Sequence, residues 1–172
     1  MEKENTLHFI MTGGTIDSFY DPVKATAVPT EHSYIPTYVG FLQLHEEIEF
    51  TEVMMKDSRD ITDNDRQKIL EVVEASTSKR IIITHGSYTV ATTAKYISKN
   101  LKRRDKVIIF VCSLIPIMGF APTDAGFNLG YAVAKSQEMK QGIYVCMNGR
   151  VFTPEEVVKI LETGRFTSAY TK

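Results

Sequence analysis

The sequence HFIMTGGTIDS, residues 8–18, is an apolar run that stops at two glycines, each of which has a threonine beside it. An apolar run of this length is typical of a strand covered on both faces. Glycines allow the backbone to approach a ligand closely, and a neighbouring threonine hydroxyl can then reach a carbonyl group. The same Thr12-Gly13-Gly14-Thr15 segment also suits a plain tight exit from a strand, so both interpretations stay open here.

Strand-like runs alternate with helical patterns along the rest of the chain. The further runs are EFTEVMM (49–55), KRIIIT (79–84), DKVIIFVC (105–112) and GIYVCM (142–147). Apolar residues recur at helical spacing over 63–77, 90–101 and 125–137. Such alternation predicts an α/β fold with three layers, in which helices cover both faces of a mostly parallel, Rossmann-like or flavodoxin-like sheet. A length of 172 residues predicts one domain.

Composition and charge argue against several classes of function. The net charge of -1 gives no basic footprint for nucleic acid, and Lys102-Arg103-Arg104 falls where a helix is predicted to end. We find neither a signal-peptide pattern nor an apolar stretch of membrane-spanning length, so we expect a cytoplasmic protein without a membrane partner. Cys112 and Cys146 lie in apolar runs, as reduced buried thiols do. No metal-ligand spacing and no G-x-G-x-x-G pattern appear, so we expect neither a metal nor a cofactor.

Polar or glycine-rich stretches directly follow three of the predicted strands: Thr12–Ser18, Lys56–Thr62 and Thr84–Thr89. Ligands of parallel sheets bind at the carboxyl ends of the strands, where these stretches lie. Taken singly, each stretch also has a structural interpretation, since Thr62 can cap the next helix, and Ser87 or Thr89 can cap the one after it. The segment Asp21–Gly40 holds three prolines without a sustained period, and we predict a long irregular loop there.

In combination, these stretches resemble the N-terminal domain of bacterial-type L-asparaginases, the cytoplasmic form in particular. The matching segments are TGGTI (12–16), SYIP (33–36), DSRDIT (57–62), THGSYT (84–89), SLIP (113–116), TDAGFNL (123–129) and VCMNGRV (145–151). The resemblance covers nearly the whole chain, and it implies an amidohydrolase that uses a threonine nucleophile.

The resemblance also implies roles for individual residues. Thr15 matches the threonine that attacks the side-chain amide, and Tyr34 matches the loop tyrosine that helps to activate it. Ser58 matches the serine that holds the substrate carboxylate. The backbone amides of Gly14, Gly86 and Ser87 are then expected around the oxyanion, and Ser87 occupies the position of a second catalytic hydroxyl, which the family pairs with a lysine.

Two positions depart from the family pattern in the part that binds the substrate head group. Tyr88 stands where the family has an aspartate that binds the α-ammonium group, and a phenol is neutral below about pH 10. Arg59 replaces a neutral polar residue and adds a fixed cation. Both changes disfavour a free α-amino acid and favour a ligand with an extra anionic group or a blocked amine.

Lys159 is open to two interpretations. It lies at the family's spacing for the catalytic lysine, counted from Asn148-Gly149-Arg150-Val151. However, Thr153-Pro154-Glu155-Glu156 reads as a capping box with proline at the first helical position, which predicts a helix that ends near Gly164. In that helix Lys159 would be an ordinary surface residue.

The resemblance further implies a single domain over residues 1–172, without the second domain of the family, and a homo-oligomer that covers the exposed surface. Two functions remain open. One is an asparaginase-like amidohydrolase acting on a small carboxylate-bearing amide, and not an efficient L-asparaginase. The alternative is a non-catalytic domain that binds or senses a small amino-acid-like carboxylate.

Overall fold

A computed structural model describes residues 3–170, with side chains from residue 6 onward. The strands are β1 (Lys3–Gly13), β2 (Ser18–Asp21), β3 (Thr26–Pro29), β4 (Glu47–Lys56), β5 (Ser78–Thr84), β6 (Val107–Val111), β7 (Gly142–Met147), β8 (Arg150–Phe152), β9 (Val157–Lys159) and β10 (Phe166–Ser168). The helices are α1 (Ile35–Leu42), α2 (Asp63–Ala75), α3 (Val90–Asn100) and α4 (Ala125–Glu138).

Six strands form the main sheet in the order β4-β1-β5-β6-β7-β8. The first five are parallel, and β8 pairs antiparallel with β7 through a two-residue turn at Asn148-Gly149, where both residues have positive φ. The side chains of β1 alternate between two buried clusters, with Ile10 on one face of the sheet and Phe9 and Met11 on the other. Helices α2 and α3 cover the first face, and α1 and α4 cover the second. The predicted three-layer α/β fold is confirmed.

The start of α2 follows its sequence signal closely. The Thr62 hydroxyl accepts a hydrogen bond from the backbone N–H of Asp65 at 3.2 Å, and the Asp65 carboxylate accepts one from the Thr62 N–H at 3.0 Å. These two bonds form a capping box, and together they satisfy donors that the helix itself leaves unpaired. The capping role predicted for Thr62 is therefore confirmed.

The prediction of an irregular loop over Asp21–Gly40 is wrong in part. Strands β2 and β3 pair as a hairpin, and α1 begins at Ile35. Pro29 lies at the end of a two-stranded ribbon, and Pro36 lies in the first turn of α1, where a backbone N–H is not needed. The prolines therefore mark the boundaries of elements and do not exclude them.

The predicted C-terminal helix is also wrong. Thr153 starts a single turn, in which the Glu156 carboxylate accepts a hydrogen bond from the Thr153 N–H at 2.7 Å, but the chain then extends into β9. Strand β9 pairs antiparallel with β10. Val157 is buried in the core while Val158 is exposed, an alternation that suits a strand, and β-branched residues favour that state.

Within the described residues 3–170, the helices are too short or too polar to cross a lipid bilayer.

Candidate active site

Three loops meet at the carboxyl ends of β1, β4 and β5. The backbone N–H of Gly14 donates a hydrogen bond to the Lys56 carbonyl at 2.8 Å. Gly13 and Gly14 both have positive φ, and a Cβ added to Gly14 would lie 2.3 Å from the backbone nitrogen of Gly86. A Cβ on Gly86 would in turn lie 2.5 Å from the Ser58 hydroxyl oxygen. The glycines are therefore required because the three loops pack without space for side chains.

The two threonines beside these glycines differ in their surroundings. Thr12 is fully buried, and its hydroxyl donates to the Thr84 carbonyl at 2.7 Å. Thr15 is half-buried and opens a short 3-10 turn over Thr15–Asp17. Its hydroxyl makes no hydrogen bond to another residue in the described part of the chain. Thr12 therefore ties two strands together, whereas the Thr15 hydroxyl is free for another partner.

Asp17 ties the segment of Tyr34 to this corner. Its buried carboxylate accepts a hydrogen bond from the Tyr34 N–H at 2.7 Å and another from the Ser33 hydroxyl. Burial raises the pKa of this carboxyl group, and the two hydrogen bonds act in the opposite direction. The backbone of Tyr34 is thus bound to Asp17, which follows Thr15 by two residues in the sequence. Sequence reasoning missed Asp17, although a carboxylate directly after an apolar strand exit was an available signal.

Ser58 carries an unsatisfied polar atom in the same corner. The residue is 1% exposed, and its hydroxyl has no hydrogen-bond partner among the described residues. The Ser58 backbone carbonyl accepts a bond from the Thr89 hydroxyl at 2.6 Å, so the loop itself is held in place. Buried hydroxyls are usually hydrogen-bonded, and an unpaired one indicates a place for a ligand or water.

Lys159 reaches the site from the C-terminal hairpin. Its Nζ donates to the Ser87 hydroxyl at 2.7 Å and lies 4.2 Å from the centroid of the Tyr88 ring. Burial lowers the pKa of this amine below its ordinary value. No carboxylate in the described residues forms an ion pair with it. The interpretation of Lys159 as a surface residue of a helix is therefore wrong, because an extended strand directs the chain toward Ser87.

The Arg59 guanidinium is less available to bind an anionic ligand than the sequence indicated. Its guanidinium donates two hydrogen bonds to the Asp57 carboxylate, at 2.7 and 3.0 Å, and lies 5.2 Å from the centroid of the Tyr88 ring. These bonds lower the pKa of the Asp57 carboxyl group. The charge of Arg59 is consequently compensated by Asp57, and the half-exposed Tyr88 ring lies against both Arg59 and Lys159.

The thiols lie apart from this chemistry. Cys112 and Cys146 are free and buried, and burial raises the pKa of the Cys146 thiol to about 12. Across the residues that the structure describes, no three His, Cys, Asp or Glu side chains form a cluster that could hold a metal ion.

The fold and this site define an α/β protein whose candidate active site lies at the carboxyl ends of parallel strands. The family model of the asparaginase N-terminal domain matches residues 6–169, and the chain therefore belongs to this family.

Solved L-asparaginase structures show the same fold. The thermostable L-asparaginase from Thermococcus kodakarensis matches with a TM-score of 0.80 and 26% identity, over 95% of this chain and 51% of that one. A probable cytoplasmic L-asparaginase from Campylobacter jejuni matches with a TM-score of 0.80 and 24% identity, over 96% of this chain and 53% of that one. L-asparaginase I from Vibrio cholerae matches with a TM-score of 0.79 and 21% identity, over 96% of this chain and 51% of that one. The chain thus spans about half the length of these proteins.

Proposed function

We propose that this protein is an asparaginase-like amidohydrolase that hydrolyses a small carboxylate-bearing amide through Thr15. The observation that carries the proposal is the 2.7 Å hydrogen bond between Lys159 Nζ and the Ser87 hydroxyl. A lysine whose pKa is lowered by burial is neutral in a larger fraction of molecules than a surface lysine, and only the neutral amine can accept a proton. Membership of the family supports placing this pair beside the nucleophile.

In the proposed reaction, the Thr15 hydroxyl oxygen attacks the amide carbonyl while the Tyr34 hydroxyl takes up the Thr15 proton and passes its own proton to the amide nitrogen. The backbone amides of Gly14, Gly86 and Ser87 stabilise the oxyanion that forms. The C–N bond then breaks, and nitrogen leaves as ammonia with the transferred proton. Water, activated by the Ser87–Lys159 pair, hydrolyses the resulting ester, which releases the carboxylate and restores Thr15.

The charge distribution supports a substrate without a free α-amino group. The unpartnered Ser58 hydroxyl offers a donor for a carboxylate. Arg59 is neutralised by Asp57, so the uncompensated charge closest to Tyr88 is the Lys159 ammonium. A positively charged amine is disfavoured beside that cation, because Tyr88 is a phenol where the family pattern has a carboxylate. We therefore propose N-acylated or amine-free monoamides as better substrates than asparagine.

The test is ammonia release from asparagine, glutamine, their N-acylated forms and dicarboxylic acid monoamides. We expect turnover in the wild type that falls to background in Thr15→Ala and persists in part in Thr15→Ser, since serine keeps the hydroxyl. Thr12→Ser is the matched control, because Thr12 donates its bond to Thr84 and is not expected to touch substrate. Full activity in Thr15→Ala would rule out the proposed nucleophile.

A second candidate function is a non-catalytic domain that binds a small carboxylate. It is favoured by Tyr88, whose ring covers Lys159 where the family has a carboxylate. Saturable binding of a carboxylate in calorimetry, without turnover of any amide, would support this alternative. The double variant Arg59→Gln, Tyr88→Asp separates the two functions, since we expect it to raise asparagine turnover if the catalytic groups are intact. A folded double variant without any gain in asparagine turnover would contradict the proposed enzymatic function.

We also propose that the chain acts as one domain in a cytoplasmic homo-oligomer. The apolar side chains of Leu114, Phe127 and Leu161 are exposed on the surface. Leu114 follows β6, Phe127 lies in the first turn of α4, and Leu161 lies between β9 and β10. Such surface is commonly covered by another subunit. Light scattering of the purified protein is expected to give a multiple of 19.4 kDa, and a monomer would contradict this assembly.

A further inference from the structure

A cavity lies outside the candidate active site, between the β7–β8 turn and the C-terminal hairpin. Its volume is about 300 Å³, within the range of small-molecule sites. The lining residues are Asn148, Arg150, Ile160, Thr163, Arg165, Phe166 and Thr167. Two of them are arginines and none is acidic, so the lining residues include no carboxylate that could pair with the arginines.

These two arginines differ from the others of the chain. Arg59, Arg66, Arg80 and Arg103 each pair with a carboxylate, and the guanidinium of Arg104 donates to the Ser98 carbonyl at 3.2 Å. Arg150 and Arg165 have no side-chain partner among residues 3–170. The arginines left without a partner are therefore the two that line the same cavity.

Neighbouring groups in the cavity add neutral donors. The Asn148 side-chain oxygen accepts a hydrogen bond from the Phe166 N–H at 3.2 Å, which leaves its amide N–H groups available. The Thr163 hydroxyl oxygen accepts a bond from the Arg165 N–H at 3.4 Å, so its own proton is free to donate. Two planar cations, an amide NH2 group and a hydroxyl group can all donate hydrogen bonds, which matches an oxyanion.

We propose that this cavity binds a small, doubly charged oxyanion, either a phosphate group or a short dicarboxylate. Asn148 lies in the β7–β8 turn and Arg150 begins β8, while Thr163 and Arg165 lie between β9 and β10. A bound anion would therefore link the hairpin to the main sheet. The same hairpin carries Lys159, which pairs with Phe166 in the β9–β10 ladder.

The test is calorimetric titration of the full chain with inorganic phosphate and with succinate, using acetate as the singly charged control. We expect saturable 1:1 binding of phosphate or succinate, weakened at least about tenfold in Arg150→Gln and in Arg165→Gln. Lys68→Gln removes one exposed positive charge on α2, and we expect less than a twofold change. Binding of phosphate alone identifies a phosphate group, whereas binding of succinate alone identifies a dicarboxylate.

Two outcomes would overturn the proposal. One is the absence of saturable binding of both anions at concentrations up to about 10 mM. The other is binding that Ser58→Ala abolishes and that both arginine variants leave unchanged, since the anion would then occupy the candidate active site. The midpoint of thermal unfolding is a second readout, because a ligand that binds the folded state raises it. We expect phosphate or succinate to raise this midpoint in the wild type and in Lys68→Gln, and in neither arginine variant.

Discussion

The two halves of the candidate active site are built in opposite ways. The glycine corner, which comprises Gly13, Gly14, Ser58 and Gly86, lies where three parallel strands end, and its backbones touch directly. The C-terminal hairpin, which comprises β9, β10 and their connecting turn, pairs as a separate two-stranded sheet. Its side chains alternate between buried Val157 and exposed Val158. The corner is thus held by close contacts between loops, whereas the hairpin is held to the core by Val157 and Phe166.

Because of this difference, we expect variants of the corner to change mainly the stability of the fold and variants of Lys159 to change mainly catalysis. Changes in the corner are expected to affect the free energy of unfolding, because no neighbouring backbone can move aside. A change at Lys159 in the hairpin is expected to affect catalysis more than stability, because Lys159 contributes an amine and little packing. Variants of each region therefore test whether the two contributions are truly distinct.

The largest expected effect comes from the glycine corner. Gly14→Ala places a Cβ 2.3 Å from the backbone nitrogen of Gly86 at a φ of 81°, and we expect it to lower the free energy of unfolding by about 4 kcal/mol or more. Urea denaturation measures this change. Gly40→Ala is the matched control, since Gly40 lies in α1 with no atom within 4 Å of the added Cβ, and we expect a gain of about 0.5 to 1 kcal/mol. Equal stability of the two variants would contradict the tight packing of the corner.

The hairpin is tested by Lys159→Met. We expect a loss of about 100- to 10,000-fold in turnover of the amide that the wild type hydrolyses, since a group that moves a proton is removed. The free energy of unfolding should change by less than about 1 kcal/mol, because a half-buried amine is replaced by an apolar chain of similar length. Lys68→Met controls for the loss of charge.

The pH dependence sharpens this test of Lys159. Its pKa is lowered by burial, so the neutral amine forms at a lower pH than for a free lysine. The wild-type rate should therefore rise with pH through a midpoint below 10.5, the ordinary value for lysine. Lys159→Met should lose this rise, and an unchanged pH profile would assign the proton transfer to another group.

A smaller effect is expected from His85, which is fully buried and directly precedes Gly86 of the corner. Burial lowers its pKa from 6.5 to about 4. The unfolded chain takes up this proton as the pH falls through 6.5, whereas the folded protein does so only near pH 4. The contribution of His85 to stability is therefore complete above pH 6.5, and up to about 3 kcal/mol is lost by pH 4.

Urea unfolding of wild type and His85→Gln between pH 7.5 and 4.5 measures this loss. The variant should show a flatter dependence on pH than the wild type. His32→Gln is the control, because the Glu52 carboxylate raises the pKa of His32, and its removal cannot flatten the curve in the same direction. Parallel curves for wild type and His85→Gln would show that the buried histidine does not carry the effect.

Much of the fold could be predicted because its signals are local. The central strands β5, β6 and β7 contain continuous β-branched or apolar runs, and the capping box at Thr62 specifies the start of α2 within one turn. The errors occurred where local signals conflict. Pro22, Pro29 and Pro36 favour an irregular loop when only the sequence is considered. The residues from Thr153 resemble the start of a helix, but the β-branched residues that follow favour a strand.

The site could be predicted in part for the same reason. Thr15, Ser58 and Ser87 lie in loops directly after strands, so the parallel topology places them at one edge of the sheet. The pairing of Arg59 with Asp57 and the anchoring of Tyr34 by Asp17 depend on side-chain directions, which the sequence does not express.

The sequence by itself determined the strands of the parallel sheet, the helices α2, α3 and α4, the strand-end loops and the residues that these loops carry, because these depend on the hydrophobic period and on local turn chemistry. Only the tertiary structure decided the position of Lys159. Its own segment offers both the start of a helix and β-branched residues, and the choice depends on burying Val157 against a core that is distant in sequence. That burial extends β9 and brings the amine to Ser87, a contact across 72 residues of chain that no local pattern encodes.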